Sequence, residues 1–217
     1  MRRHEVVIAG GGPAGAAAAI VLARAGRDVL LVAGGDDTAF KVGEGLPPNA
    51  RSLLRDLGVL ERTLADGHRA SPGTCAFWGN ATAHANDFLF QLHGHGLQLD
   101  RTRFDAMLRD AAMQAGAEFL PDARVRIVAP VDSTRLHRLA LHPVDAQTHV
   151  EAESIDADWL IDATGRAASL ARALGARKVA HDGQIAFHQR LSSARDDDRD
   201  GRTWVEAVEN GWWYSVL

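Results

Sequence analysis

Apolar and polar positions recur with two different periods along this chain, and the switches between them mark its elements. Val6-Val7-Ile8-Ala9 is a short continuous apolar run, and Val29-Leu30-Leu31-Val32 is a second. Runs of that length predict strands. Between them lie Gly10-Gly11-Gly12-Pro13-Ala14-Gly15 and an alanine-rich stretch to Ala25, closed by Gly26. The predicted order is strand, glycine turn, helix, strand.

Pro47 and Pro48 keep any helix from running through the loop at 40–49. Asn49 is placed to cap a following helix with Leu53, Leu54 and Leu57 on one face and Gly58 at its end. Residues 67–79 read as irregular and polar, Phe88 to Leu92 as a strand, and Leu97 to Leu99 as a short one. From Arg101 to Ala115, Phe104, Met107, Leu108 and Ala111 recur at helical spacing, and Gly116 closes the helix. Glu118–Leu120, Val125–Val128, Leu136–Leu141 and His149–Ile155 read as a strand followed by a small antiparallel meander. Trp159 to Asp162 is a buried strand entering the turn Ala163-Thr164-Gly165, and Ser169 to Leu174 a short helix. Beyond Gly175 the pattern turns to strands at Gln184–Leu191 and Thr203–Val208, and the sequence ends at Gly211-Trp212-Trp213-Tyr214-Ser215-Val216-Leu217. There is no internal repeat and no low-complexity linker.

Composition narrows the classes. With 217 residues, 46% of them hydrophobic, the chain can bury a core of one domain or one and a fraction. A net charge of −4 speaks against a nucleic-acid-binding surface. The single cysteine, Cys75, excludes an intrachain disulfide and reads as a small buried hydrophobe. No apolar stretch is long enough for a membrane span, and the strand behind the N-terminal arginines is not a signal peptide; the expected location is cytoplasmic.

The chemistry lies in the glycine spacing. Gly10 permits a sharp exit from the first strand. Gly12, lacking a Cβ, lets a pyrophosphate approach the backbone, and Gly15 lets the helix pack close to the sheet. The free N–H groups and dipole of the helix start then face the diphosphate, and Pro13 suits the first helical position. One element departs from the pattern. A dinucleotide site places an acid at the end of the second strand, about 20 residues on, for the ribose hydroxyls. That position is Ala33, followed by Gly34 and Gly35, with Asp36 and Asp37 just beyond.

Four segments in this order and spacing resemble one family: Gly10 to Gly15, the Lys41-Val42-Gly43-Glu44 loop with Pro47, Arg101-x-x-Phe104-Asp105, and Asp162-Ala163-Thr164-Gly165-Arg166. The chain is similar to FAD-dependent oxidoreductases of p-hydroxybenzoate-hydroxylase-like fold, a group that includes flavin monooxygenases, geranylgeranyl-reductase-like enzymes and flavin-dependent halogenases. The resemblance implies an α/β, Rossmann-like three-layer fold for FAD or NAD(P). It also implies a small antiparallel meander and the start of a substrate-domain β-sheet. An FAD-binding domain would span 1–175, interrupted by a substrate-side segment at about 67–98. Residues 176–217 would begin a substrate-binding sheet that is incomplete.

The resemblance also implies roles. Gly10, Gly12, Pro13, Ala14 and Gly15 would cradle the FAD diphosphate. Arg101 would reach toward the phosphates and adenosine, the Val125 backbone would touch the adenine, and Asp162 and Gly165 would sit where the Ala-Thr-Gly turn passes the cofactor. Gly43 and Glu44 would lie near the flavin ring. Alternatively, Arg101 pairs only with Asp105 along its helix, and Glu44 is a solvated loop acid. The implied activity is hydroxylation of a small-molecule substrate with O₂, with NAD(P)H or a partner reductase as electron source. Reduction of a double bond is the close alternative. Halogenases of the group use a lysine between flavin and substrate. The matching region, Gly73 to Gly79, has none, which points away from halogenation. Family members run well past this length and carry a later Gly-Asp motif. A truncated, non-catalytic remnant that pairs through an incomplete sheet edge is therefore a second reading, and a plain NAD(P)-binding module a third.

Three other signals stand apart. Asp196, Asp198, Asp200 and Gly201 match the opening of a calcium loop, but its twelfth position is Ala207 where a Glu is needed, so a solvated hairpin loop is expected. His84, His93 and His95 lie close in sequence, but no cysteine or tightly spaced carboxylate completes a metal set. Trp212 and Trp213 read as core, with a substrate pocket as the alternative.

Overall fold

The computed structural model describes residues 2–35, 40–42, 45–79, 81–129, 136–144, 152–192 and 199–216. In chain order, strand β1 (Arg2–Ala9) leads through the glycine turn into helix α1 (Pro13–Arg24) and strand β2 (Val29–Val32). Then come β3 (Gly45–Leu46), α2 (Ala50–Asp56), α3 (Leu60–Ala65), β4 (Arg69–Ser71), β5 (Gly73–Phe77), β6 (His84–Asp87) and β7 (Gly96–Gln98). Helix α4 (Arg101–Gln114) precedes β8 (Glu118–Leu120), β9 (Ala123–Ala129), β10 (His137–Pro143) and β11 (Glu153–Asp162). Helix α5 (Ser169–Ala173) and the hairpin strands β12 (Thr203–Val208) and β13 (Gly211–Ser215) complete the described elements.

The chain divides into two compact units. Residues 1–39 and 102–183 form the first, and residues 40–101 and 184–217 the second. The first is built on a six-stranded sheet in the order β8-β2-β1-β11-β10-β9. Strand β1 lies inside this sheet, parallel to both β2 and β11, and β8 is parallel to β2. A parallel strand needs cover on both faces, so it reads as an unbroken apolar run. Val7, Ile8, Leu30 and Leu31 are accordingly fully buried. On α1 the buried positions Gly15, Ala16, Ala19, Ile20 and Ala23 repeat at helical spacing, and small side chains let the helix lie close to the sheet. Strands β9, β10 and β11 make the antiparallel meander, and β11 then runs on beside β1. One core cluster joins Val7, Leu30, Val125, Leu139, Leu141, Ile155 and Leu170.

The second unit holds two smaller sheets, β13-β12-β5-β6 and β3-β7-β4. Gln98 is buried at their junction and donates from Nε2 to Ser71 Oγ at 3.3 Å and to Thr203 Oγ1 at 3.2 Å. Among the described residues no helix is long and apolar enough to cross a membrane.

Several elements differ from the sequence expectation. Part of the segment read as irregular, 67–79, forms β4 and β5, because β5 pairs in parallel with β12 from far along the chain. Residues 88–90 are a 3₁₀ turn, since the Asp87 side chain accepts from Leu89 N–H at 2.8 Å and bends the chain out of the strand. Residues 184–192 carry alternating apolar positions but enter no sheet ladder, and Phe187 is 91% exposed. Asn49 does not cap α2 through its side chain; its carbonyl accepts from Ser52 Oγ at 2.7 Å. The separate runs expected at 149–155 and 159–162 belong to one strand from Glu153, and His149 and Val150 lie outside the described residues.

Truncating Ile8 to alanine removes a side chain with no solvent exposure from the middle of the six-stranded sheet. The expected cost is about 2–5 kcal/mol, read as a lowered urea midpoint at unchanged slope.

Candidate functional site

The glycine turn is closed on one side and open on the other. Gly10 has φ of +117° and its N–H donates to the Val32 carbonyl at 2.8 Å, so the chain leaves β1 by a sharp bend only glycine adopts easily. A Cβ on Gly10 would lie 2.2 Å from the Ala163 carbonyl oxygen, and one on Gly15 would lie 1.9 Å from the Gly10 oxygen. Backbone therefore rests on backbone where β1, α1 and the turn after β11 meet. Gly12 differs: its backbone is extended, with φ −79° and ψ −176°, and a Cβ built there meets nothing within 4 Å. The space in front of Gly12 is open. Pro13 begins α1, Ala14 is exposed, and Ala16 N–H donates to the Gly12 carbonyl at 2.9 Å. A helix start leaves its first N–H groups without carbonyl partners in the helix, and its dipole favours an anion. This combination fits a diphosphate, because it offers bare main chain with no side chain over it.

The turn after β11 is tied down by Asp162. Its Oδ1 accepts from Thr164 N–H at 3.0 Å and from the Thr164 hydroxyl at 2.6 Å, and its Oδ2 accepts from Leu170 N–H at 3.0 Å and Ala171 N–H at 2.8 Å. The carboxylate thus caps α5 and fixes the loop carrying Ala163, whose N–H donates to the Ala9 carbonyl at 2.8 Å. Gly165 follows with φ of +63° and open space where its Cβ would be. Partial burial pushes the Asp162 pKa up, but the Thr164 side chain and the Ala171, Thr164 and Leu170 N–H groups outweigh it and hold it below the usual carboxylate value.

At the far end of the turn, Ala33 replaces the expected acid. Its N–H donates to the Leu120 carbonyl at 3.0 Å and its carbonyl accepts from Ala123 N–H at 3.2 Å, so the strand bearing Val125 starts beside the end of β2. Val125 itself is a core side chain on β9, opposite Leu141 of β10. Sequence reasoning missed Arg109. This cation on α4 is buried, donates from Nη1 to the Gly11 carbonyl at 3.2 Å, and has its guanidinium 5.8 Å from the Phe119 ring centroid. A charged residue among the apolar positions of α4 was the available signal.

The first unit thus brings together Gly10, Gly12, Pro13, Ala14, Gly15, Asp162 and Gly165 around one turn. In the second unit, Arg101 opens α4 and donates from Nη1 to the Val42 carbonyl at 3.2 Å. Gly43 and Glu44 follow Val42 and lie outside the described residues, as do Asp36 and Asp37. Trp212 and Trp213 are not core: they are 50% and 68% exposed on β13, and Trp212 lies with its ring centroid 6.3 Å from that of Trp78. Among the described residues β13 is the outer strand of its sheet.

Asp162 gives a pH signature. Its pKa is depressed in the folded protein, so the unfolded chain binds more protons as pH falls below about 4. The stabilisation is present above that unfolded value and is lost as pH falls through the folded one. Urea midpoints between pH 7 and pH 3 are expected to fall further for the wild type than for Asp162→Asn. At pH 7, Asp162→Asn is expected to be less stable by about 1–3 kcal/mol.

Comparison with known proteins agrees with this geometry. The sequence profile of the family described as "FAD binding domain" matches residues 3–212. The FAD-dependent oxidoreductase LodB of Marinomonas mediterranea, so named, is 27% identical over 197 residues, which span 89% of this chain and 51% of that protein. The 1H-pyrrole-2-carbonyl-[peptidyl-carrier protein] brominase of Pseudoalteromonas luteoviolacea is 29% identical over 171 residues, 79% of this chain and 40% of the brominase. The chain therefore spans about half or less of the length of these curated relatives. Among solved structures, CmlS, a flavin-dependent halogenase, superposes with a TM-score of 0.80 at 26% identity, over all of this chain and 40% of that one. With nearly its whole length matched by one profile, and the glycine turn built as that fold requires, the chain belongs to the FAD binding domain family.

Proposed function

We propose that this chain holds FAD and forms the cofactor-binding part of an oxidoreductase that hydroxylates a small organic substrate. The observation that carries the reading is the open face of Gly12 at the start of α1. In this reading Gly10, Gly12, Pro13, Ala14 and Gly15 receive the diphosphate. Arg101 reaches the phosphates and adenosine, and the Val125 backbone meets the adenine. Asp162 acts through the loop that carries Gly165, holding it against the turn. Gly43 and Glu44 approach the flavin. FAD, when bound, supplies the electron transfer and the activation of O₂; the electrons come from NAD(P)H or a partner reductase. The exposed Trp78, Trp212 and Tyr214 give the second unit flat apolar surface suited to a planar substrate.

A second reading, halogenation, is favoured by the similarity to a brominase and to the halogenase CmlS. Against it stands β5 with its flanks, Gly73 to Gly79, which carries no lysine; the chain's two lysines are Lys41 and Lys178. With FAD, a reducing system and a phenolic probe, the hydroxylation reading expects oxygenated product whose yield is insensitive to bromide. A brominated product would establish the second reading instead.

The cofactor step is tested on the chain itself. Titrating FAD while following flavin fluorescence is expected to show saturable binding. Gly12→Val places a side chain into the open space, so the dissociation constant is expected to rise at least tenfold with little change in melting temperature. Gly15→Ala, driven into the Gly10 carbonyl, is expected to lower the melting temperature as well.

A further inference from the structure

Arg109 is a buried cation that neither the glycine pattern nor the family motifs account for, and we propose that it is a positioning residue for the diphosphate site. The inference rests on the reading that the glycine turn holds a diphosphate. Its guanidinium donates to the Gly11 carbonyl at 3.2 Å. In a trans peptide the carbonyl and the following N–H point in opposite directions. Drawing the Gly11 oxygen back toward α4 therefore turns the Gly12 N–H outward, into the open space in front of the turn.

A glycine pair has little conformational preference of its own, so this peptide plane is free to flip unless something holds it. Two further contacts hold it. A Cβ on Gly11 would lie 2.6 Å from Ala33 Cβ and 3.1 Å from Arg109 Cδ, so the Gly11 Cα packs closely against both Ala33, just past the end of β2, and the Arg109 stem. The stem is steadied in turn, with the guanidinium over the Phe119 ring on β8. Arg109 is 7% exposed, so its effect on an anion runs through the peptide it orients and not through direct contact. A preset N–H donor needs no reorganisation when the anion arrives, which is where the affinity gain lies. The small side chain at position 33 belongs to the same arrangement, because it lies against Gly11 beside the arginine stem.

The test compares Arg109→Met, which keeps an apolar stem and drops the donor, with Arg109→Lys, which keeps stem and donor. Each is titrated with FAD, ADP and adenosine, and the Gly12 amide resonance is followed by ¹⁵N NMR without ligand. Arg109→Met is expected to weaken FAD and ADP at least tenfold, to leave adenosine within twofold, and to broaden or split the Gly12 amide signal. Arg109→Lys is expected to recover FAD binding to within threefold of wild type. A sharp, unshifted Gly12 amide in a folded Arg109→Met protein would overturn the inference, as would equal losses for ADP and adenosine. The ligand-free NMR signal separates the two ideas: wild-type protein that binds neither FAD nor ADP would sink the functional reading. The Gly12 signal alone would then decide the role of Arg109.

Discussion

Three stretches of main chain meet with no side chain between them: the exit of β1 at Gly10, the first turn of α1 at Gly15, and the loop after β11 at Ala163. The Gly10 oxygen lies where a Gly15 Cβ would be, and the Ala163 oxygen where a Gly10 Cβ would be. This close approach sets the tilt of α1 on the sheet and the position of its start. Everything proposed for the first unit depends on it, because an anion site made of N–H groups is only as well placed as the backbone that presents them.

The surroundings explain how a bend of small residues keeps its shape. β1 lies between two parallel neighbours and cannot shift without breaking two ladders. The Asp162 carboxylate ties four donors into the loop that presses on Gly10. Arg109 holds the Gly11 peptide from the side of α4. These restraints come from separate parts of the chain, and each acts on backbone. The result is a well-restrained frame around the open position at Gly12.

Much of this was legible in the sequence because it is local. Apolar runs bounding a glycine turn specify β1, α1 and β2, and the helical spacing of Phe104, Met107, Leu108 and Ala111 specifies α4. The parts that were not legible depend on distant partners. β5 looks irregular until β12 pairs with it, whereas 184–192 looks like a strand but finds no ladder. Asp87 turns the chain at Phe88–Phe90, where a strand was expected, through one side-chain bond. At the site, the sharp exit at Gly10 and the close packing at Gly15 follow from spacing, whereas the bonds by which Asp162 caps α5 do not. Arg109 and Ala33 acquire meaning only once the fold sets both against Gly11.

The most direct test of the account is a crystal structure of the chain with ADP. The account predicts diphosphate oxygens within about 2.7–3.2 Å of the Gly12 N–H at the start of α1, with the Gly11 carbonyl still turned toward Arg109. Diphosphate density elsewhere, or a Gly11–Gly12 peptide flipped so that its carbonyl faces the anion, would contradict it.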